Sequence, residues 1–356
     1  MFTRKNTLKE IVTDPRIKPY ADRIVVGLDL SQTPFYEMTI EELSRQRMFH
    51  GYTLLNGFNR LLEAVEEGPF CYPLYSEEEI RKDPKKAEAC FMLFPSMDPD
   101  ADEKPFLICV PGGGNVQIWN MSEGFPIVDH YNQLGYHVVV LNYRYGGEKL
   151  YPAPLEDMAQ LLRYIEAHKA TLHLNAGHYF TVGFSAGGYL VNSWCTTNHG
   201  YAAYALPRPV MNISVYGFAS WKGVRDDWDV DFFGITTHGL TIKEAARTDW
   251  NVEDHIEGFP PTYLLHGDND HSCDCINSCI LADALKQAGI PYELEIGKGM
   301  DHGFGEALFS PLRGWIERTV NFLVAHPEEG EKNNCPDSQF QQQPCACPSH
   351  LWPFCP

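Results

Sequence analysis

Short apolar runs recur along the chain from about residue 88 onward. Their content of Val, Leu, Ile, Phe and Tyr predicts buried strands at 106–110, 137–141, 179–182, 212–216, 262–265 and 292–296. Between these runs, apolar residues at helical spacing predict helices at 155–169, 186–196, 277–288 and 311–325. Strands that alternate with helices favour an α/β fold, in which helices cover both faces of a mainly parallel central sheet.

Three regions depart from this alternation and define the expected domain organisation. Residues 1–87 have helical stretches but too few strands for a sheet of their own, so we expect a helical extension that packs on a main domain at 88–326 and covers the mouth of its site. Residues 217–260 exceed an ordinary connection between strands, which predicts a lid-like insertion. Residues 327–356 are rich in Pro, Gln, Cys and Glu without periodicity, which predicts a flexible tail.

The charge of the chain narrows the expected partners. The 356 residues carry a formal net charge of −19, which argues against binding to nucleic acid or to an anionic membrane. The N-terminus lacks the apolar run of a signal peptide, and no apolar window approaches the length of a spanning helix, so we expect a cytoplasmic protein. The 11 cysteines are scattered and odd in number, which favours free thiols.

A serine motif follows the strand predicted at 179–182. The sequence Gly-Phe-Ser-Ala-Gly at 183–187 matches the pattern G-x-S-x-G and leads directly into a predicted helix. A serine on such a tight turn projects its oxygen above the sheet edge, where it can act as a nucleophile. The alternative is a glycine-rich turn without chemistry, but the strand before it and the helix after it favour Ser185 as a catalytic nucleophile.

A second glycine-rich loop follows the strand predicted at 106–110. Three consecutive glycines at 112–114 would be a costly choice for structure alone, but they suit a loop whose N–H groups point into a site. Such donors stabilise the oxyanion that forms during acyl transfer. We therefore assign an oxyanion hole to the N–H groups of Gly113, Gly114 and Ala186. A phosphate-binding loop is the alternative, and the sequence contains none of its usual motifs.

The general base and its partner are predicted from their positions. His302 lies in a glycine-rich loop that follows the last predicted strand, at the edge where parallel sheets build their sites. Asp268 and Asp270 both follow the strand at 262–265. The resulting order of Ser, Asp and His is the order that α/β-hydrolases use. These positions leave either aspartate as the residue that orients His302, and the other would form a turn with its own backbone.

Four motifs occur together in this order, at 111–114 (Pro-Gly-Gly-Gly), 183–187, 266–270 (His-Gly-Asp-Asn-Asp) and 301–304 (Asp-His-Gly-Phe). As a set, they resemble the bacterial esterase and lipase branch of the α/β-hydrolase superfamily, in particular its hormone-sensitive-lipase-like and xylan-esterase-like members. The resemblance covers about residues 88–326. It implies the α/β-hydrolase fold.

The resemblance also implies roles for individual residues. The acid in that family is the last residue of an H-G-x-x-D run, which is Asp270 here, and the family's oxyanion glycines match Gly113 and Gly114. One departure is Pro111, which stands where many members have the first His of an H-G-G-G motif. This variant is more similar to the carbohydrate-esterase members.

Candidate substrate-binding residues lie near these loops. We assign this role to Asn115 and Trp119, which extend the glycine loop, and to Trp221 in the insertion, where Trp228 and Trp250 are further candidates. Aromatic rings there could stack on sugars or could anchor the insertion to the core. A cluster of thiols follows the acid loop, but its spacing fits no standard metal site, so we expect neither a metal nor another cofactor.

The leading functional hypothesis is hydrolysis of carboxylic esters through an acyl-enzyme, with a small-molecule ester as substrate. Short acyl groups are preferred because the sequence shows no exposed apolar segment suited to a lipid interface, and the resemblance favours acetylated carbohydrates. The alternatives are a serine peptidase on the same fold and a non-catalytic binding protein that kept the fold. The sequence is also compatible with a homo-oligomer.

Overall fold

The computed structural model describes residues 1–224 and 231–327. Within these ranges the chain forms one eight-stranded sheet with the order β1-β2-β4-β3-β5-β6-β7-β8. Strands β3 to β8 are mutually parallel, whereas β2 runs antiparallel to both β1 and β4. The strands are β1 Cys71–Pro73, β2 Cys90–Phe94, β3 Phe106–Val110, β4 Val138–Asn142, β5 Tyr179–Phe184, β6 Asn212–Val215, β7 Thr262–Gly267 and β8 Tyr292–Gly297.

Helices cover both faces of the sheet. The α-helices are α1 Leu8–Thr13, α2 Ile40–Leu43, α3 Leu54–Glu67, α4 Glu77–Lys82, α5 Phe125–Gln133, α6 Ala153–Leu172, α7 Ala186–Trp194, α8 Asp231–His238, α9 Ile242–Ala245, α10 Ile276–Ala288 and α11 Trp315–Ala325. None of them, within the described ranges, combines the length and the apolar character that crossing a bilayer requires.

Two apolar cores lie on opposite faces of the sheet, and β3 contributes to both. Leu107 and Cys109 point into a core shared with α3, α5 and α11, whereas Phe106, Ile108 and Val110 point into a core shared with α6, α7 and α10. Successive residues of a strand face opposite sides, so a fully buried strand has to be apolar at every position. This burial explains the continuous apolar runs in the sequence.

The six strands predicted from the sequence are present in the structure as β3 to β8, with small differences at their ends. The burial predicted for the last of them was wrong, because β8 lies at the edge of the sheet and only one of its residues is buried. The strands β1 and β2 were not predicted. The strand β1 lies within residues 1–87 and pairs with β2 at the edge of the sheet, so this segment is not wholly helical. At three residues it is too short to show an alternating pattern.

The N-terminal segment packs into the same core as α5 and α11 and is tied to the loop that follows β8. The buried Glu306 carboxylate accepts hydrogen bonds from the backbone N–H of Thr53 at 2.6 Å and from its hydroxyl. The Tyr52 hydroxyl donates to the carbonyl of Gly303 at 2.8 Å. These bonds place residues 47–52 beside the loop that carries His302.

The insertion between β6 and β7 carries the helices α8 and α9. An aromatic cluster anchors it to α7: the Trp221 indole donates to the Tyr189 hydroxyl at 3.0 Å, and the His238 and Trp250 rings lie 4.6 Å apart. Trp228 lies outside the described residues, as does almost all of the predicted tail. The predicted flexibility of that tail therefore stays a prediction.

Candidate active site

Ser185 lies at the turn between β5 and α7 in a backbone conformation that is rare for a residue with a side chain. Its φ is 52° and its ψ is −119°, and its N–H donates to the Val215 carbonyl on the neighbouring strand at 3.1 Å. The glycines beside it are required by close packing. A Cβ atom on Gly187 would lie 2.1 Å from the Val110 carbonyl oxygen, and one on Gly183 would lie 2.4 Å from the carbonyl oxygen of Gly187. The turn therefore holds the serine oxygen above the sheet edge.

His302 connects Ser185 to Asp270. Its Nε2 atom lies 2.9 Å from the Ser185 hydroxyl, and its Nδ1 atom lies 2.6 Å from Oδ2 of Asp270. A carboxylate only accepts hydrogen bonds, so Nδ1 carries the hydrogen and Nε2 is free to accept the serine proton. The loop is held locally because the backbone N–H of His302 donates to Asp301 at 2.8 Å.

Asp270 is surrounded by hydrogen-bond donors. Its Oδ1 atom accepts from the backbone N–H groups of Ser272 and Cys273, each at 2.8 Å. The buried His266 lies 3.3 Å from Oδ2 through its Nε2 atom. Burial acts to raise the pKa of Asp270, but the hydrogen bonds from His266 and His302 outweigh it, and this pKa lies well below its usual range. The carboxylate is therefore ionised at neutral pH.

Asp268 has a different role from the one expected. We predicted that whichever aspartate did not orient His302 would bond its own turn, but the Asp268 carboxylate accepts from the N–H of Gly299, in the loop that carries His302. Its own N–H donates to the Gly297 carbonyl at 3.1 Å. The loops after β7 and β8 are adjacent because the two strands pair in parallel. Asp268 thus braces one loop against the other.

The glycine loop is held by hydrogen bonds to its backbone. The N–H of Gly112 donates to Oε2 of Glu123 at 2.7 Å, and the Gly112 carbonyl accepts from the Trp119 N–H at 3.1 Å. The Gly113 carbonyl accepts from two further N–H groups at 3.1 Å, those of Val116 and Gln117. In a trans peptide the N–H points away from the preceding carbonyl. The N–H groups of Gly113 and Gly114 are therefore directed away from the bonds that hold the loop.

Ala186 carries the third N–H group that was assigned to the oxyanion hole. Gly113, Gly114, Ser185 and Ala186 line the same cavity, and no protein group within residues 1–224 and 231–327 accepts a hydrogen bond from the three N–H groups. Ala186 begins α7, so its N–H also lies at the positive end of the helix dipole. The arrangement can stabilise a negatively charged oxygen next to Ser185.

The cavity has a volume of about 700 Å³ and opens to solvent. The N-terminal segment contributes Arg47, Met48 and Tyr52 to its wall, and the insertion contributes Phe232 and Phe233. Trp119 also lines the cavity and is only half-buried. Both additions to the main domain therefore shape the space above Ser185.

The structure does not bring two of the predicted substrate-binding residues to the cavity. The Asn115 side chain is buried and donates to the Thr237 hydroxyl on α8 at 2.8 Å, so its amide is engaged with the insertion and does not line the cavity. Trp221 is also buried, within the aromatic cluster that anchors the insertion. The assignment of substrate contacts to Asn115 and Trp221 was wrong, and of the three predicted residues only Trp119 reaches the cavity.

Three residues around the site were missed by sequence reasoning. Glu123 supports the glycine loop, Tyr52 supports the loop of His302, and His266 supports Asp270. A histidine at the end of a buried strand is the signal that could have found one of them. In the described ranges, no three His, Cys, Asp or Glu side chains are arranged to hold a metal ion.

The model of the BD-FAE family matches residues 95–285, which is more than half of the chain. The chain belongs to the BD-FAE family. The matched part of this BD-FAE protein holds the glycine loop, Ser185 and Asp270, and it ends before the loop of His302.

Curated relatives of this BD-FAE protein include an acetylxylan esterase of Xylanibacter ruminicola, 26% identical over 252 residues that cover 67% of this chain and 49% of the relative. Another is a probable carboxylic ester hydrolase of Mycobacterium tuberculosis, 24% identical, with 53% of this chain and 47% of the relative covered. The chain thus spans about half the length of these relatives.

Solved structures show the same architecture. An acetyl ester-xyloside bifunctional hydrolase from Caldicellulosiruptor lactoaceticus superposes with a TM-score of 0.59 at 24% identity, and covers 72% of this chain and 95% of the other. A sugar hydrolase from Lactococcus lactis gives a TM-score of 0.53 at 22% identity, with 67% and 94% covered. The fold is therefore the α/β-hydrolase fold that the sequence motifs implied.

Proposed function

We propose that this BD-FAE protein is a serine hydrolase that cleaves carboxylic esters through an acyl-enzyme. The observation that carries the proposal is the hydrogen-bonded chain from the Ser185 hydroxyl through His302 to Asp270. It lies beside three N–H groups that have no acceptor in the described chain. A nucleophile, a base, an orienting acid and an oxyanion hole are the components that acyl transfer needs. The names of the curated relatives agree with this reaction.

The geometry supports a two-step mechanism. The Ser185 oxygen forms a bond to the ester carbonyl carbon while Nε2 of His302 takes its proton, and the carbonyl electron pair moves onto oxygen beside Gly113, Gly114 and Ala186. When this intermediate collapses, the C–O bond to the alcohol breaks and His302 protonates the leaving oxygen. Water then attacks the acyl-enzyme by the same route and restores Ser185. Asp270 stays ionised throughout and stabilises the imidazolium form of His302.

Short acyl groups fit the cavity better than long ones. Its wall includes the solvent-accessible polar side chains of Arg47, His271 and Asp301, which would lose hydration against a long aliphatic chain. Near its opening the aromatic rings of Trp119 and Phe232 provide apolar faces on which a sugar ring can stack. We therefore propose acetyl esters of carbohydrates as the substrate class, which agrees with the name of the acetylxylan esterase relative.

The N-terminal segment and the insertion belong to the proposed catalytic unit. Residues 1–87 supply one wall of the cavity and residues 217–260 supply another, so each would contact the alcohol part of a bulky ester. We therefore keep the predicted division into an extension, a main domain at 88–326 and a lid-like insertion, and we propose that the extension and the insertion both help to bind the substrate.

The proposal is tested by comparing nitrophenyl acetate, butyrate and octanoate with an acetylated xylo-oligosaccharide and a chromogenic dipeptide amide. We expect turnover of the acetyl esters to be fastest and the amide to be inert. A fluorophosphonate probe should label the wild-type protein at Ser185, because only an activated serine reacts with it. Absence of labelling and of ester turnover would favour a non-catalytic protein, and cleavage of the amide at a rate comparable to the esters would favour a peptidase.

A further inference from the structure

A buried carboxylate that the mechanism above does not use lies behind the glycine loop. Glu123 belongs to the five-residue π-helical turn Asn120–Gly124, which leads from the glycine loop into α5. The residue is 7% exposed, and the groups that act on its charge include no Lys or Arg from residues 1–224 and 231–327. Burial raises the pKa of Glu123, whereas the N–H of Gly112, the Tyr216 hydroxyl and His302 act in the opposite direction. Burial of a carboxyl group without a cationic partner among the described residues costs free energy, which indicates that Glu123 has a role in the site.

One oxygen of Glu123 determines how the oxyanion loop is held. Its Oε2 atom accepts the N–H of Gly112 at 2.7 Å. A Cβ atom on Gly112 would lie 2.7 Å from Cβ of Ser185 and 3.1 Å from Oε2, so this glycine fills the narrow space between the carboxylate and the nucleophile. Movement of Gly112 would rotate the next peptide, whose N–H is the proposed oxyanion donor of Gly113.

The other oxygen of Glu123 reaches the base. Its Oε1 atom accepts from the Tyr216 hydroxyl at 2.8 Å. The Tyr216 ring packs against the His302 ring with a centroid distance of 4.7 Å, and its backbone N–H donates to the Leu265 carbonyl at 2.7 Å. Tyr216 has a positive φ of 40°, so its backbone is strained in a position that places the ring there.

We propose that Glu123 is a positioning residue that aligns the oxyanion donors with the catalytic imidazole, through Gly112 on one side and Tyr216 on the other. The inference rests on the proposed function. The carboxyl group acts as a double hydrogen-bond acceptor, and it exchanges no proton with the substrate. Loss of this acceptor would misplace donors that act only in the transition state, so kcat would fall and KM would change little.

Two substitutions at Glu123 separate this role from others. Glu123→Gln keeps an acceptor for Gly112 and can donate its amide N–H to the Tyr216 oxygen, so kcat should stay within about tenfold of wild type. Glu123→Leu has a similar shape without acceptors, and kcat should fall by about 10²-fold with KM changed less than about threefold. A loss in Glu123→Gln as large as that in Glu123→Leu would overturn the proposal.

Binding of a transition-state analogue distinguishes a positioning role from a merely structural one, because a structural role would leave its inhibition constant unchanged. A trifluoromethyl ketone forms a tetrahedral adduct with Ser185 whose oxyanion occupies the same donors. Its inhibition constant should rise across the Glu123 variants by the factor by which kcat/KM falls. Unchanged inhibition beside a lowered kcat would overturn the proposal.

Matched variants complete the experiment. Glu253→Leu removes another half-buried glutamate, which accepts a hydrogen bond of 2.6 Å from the Ser220 hydroxyl and does not line the cavity. This variant should keep the wild-type kcat. If Glu123→Leu fails to fold, Tyr216→Phe replaces it: loss of the hydroxyl should lower kcat by about tenfold with KM unchanged, and an unchanged kcat would overturn the proposal.

Ser185→Ala distinguishes failure of the proposed function from failure of the role proposed for Glu123. Ester turnover retained by Ser185→Ala would contradict the proposed function. An inactive Ser185→Ala beside a fully active Glu123→Leu would contradict only the role of Glu123.

Discussion

The Nε2 atom of His302 lies 2.9 Å from the hydroxyl oxygen of Ser185, although 117 residues separate them in the sequence. The two residues meet because β5 and β8 belong to one parallel sheet and both residues follow the carboxyl ends of their strands. The contact has the geometry of a nucleophile and its general base, and it can be tested residue by residue.

Ser185→Ala should abolish ester hydrolysis. Removal of the nucleophile should lower turnover by about 10⁵-fold or more, since the acyl-enzyme can no longer form. Turnover of nitrophenyl acetate measures the loss, and circular dichroism checks that the fold is retained. Turnover close to wild type in a folded variant would refute the mechanism.

Asp270→Asn should lose about 10⁴-fold in turnover with little change in melting temperature. The amide cannot stabilise the imidazolium, and it leaves His302 in the wrong tautomer. Asp268→Asn is the matched control, because its amide oxygen can still accept the N–H of Gly299 and should keep turnover within a few-fold. The reverse result would mean that Asp268 is the orienting acid and that the rest of the mechanism stands.

Trp119 and Trp221 should differ in what they contribute. Trp119→Ala should raise KM for an acetylated oligosaccharide several-fold and leave the melting temperature nearly unchanged, because the ring lines the open cavity. Trp221→Phe should lower the free energy of unfolding by about 1–3 kcal/mol with little effect on KM, because it leaves the buried Tyr189 hydroxyl without its indole donor. Steady-state kinetics and urea unfolding decide the comparison, and a raised KM in Trp221→Phe would contradict it.

Stability should depend on pH through His238. Burial lowers the pKa of His238 to about 3 in the folded protein, whereas a solvent-exposed histidine has a pKa of 6.5. Between these values the unfolded chain binds a proton that the folded protein excludes, so stability decreases as pH falls below 6.5. From pH 7.5 to pH 5 this group should cost about 2 kcal/mol.

His238→Gln provides the comparison for this effect, because it cannot titrate and keeps a polar group near the Tyr189 hydroxyl. Urea unfolding at the two pH values should show a smaller loss in this variant than in the wild-type protein. An equal loss in both proteins would assign the pH dependence to other groups.

Local sequence patterns were sufficient for much of the fold and for the proposed nucleophile. The apolar runs that became β3 to β7 were recognisable because every residue of these strands is buried, whereas β8, at the edge of the sheet, was recognisable from its alternation of apolar and charged residues. Ser185 was recognisable because its strand, turn and helix are contiguous in the chain. The three-residue strand β1 offered too short a pattern to detect.

Properties that depend on contacts between distant segments required the tertiary structure. The packing of two adjacent loops decides that Asp270, and not Asp268, contacts His302. The same packing allows the N–H of Gly299 to donate to Asp268. Trp119 and Trp221 are the same residue type and each follows a strand by several residues, but only the tertiary packing makes Trp119 line the cavity and buries Trp221 against α7.

The sequence by itself therefore determined where six of the eight strands lie along the chain, the resemblance to α/β-hydrolase esterases and the residue types available for acyl transfer, because each is encoded in consecutive residues. The tertiary structure decided which side chains face the cavity and which support them. Glu123 illustrates the difference: its two oxygens contact Gly112 and Tyr216, and Tyr216 lies 93 residues further along the chain. A hydrogen bond of this kind is set by where the sheet places the two loops, and no local pattern of hydrophobic and polar residues records it.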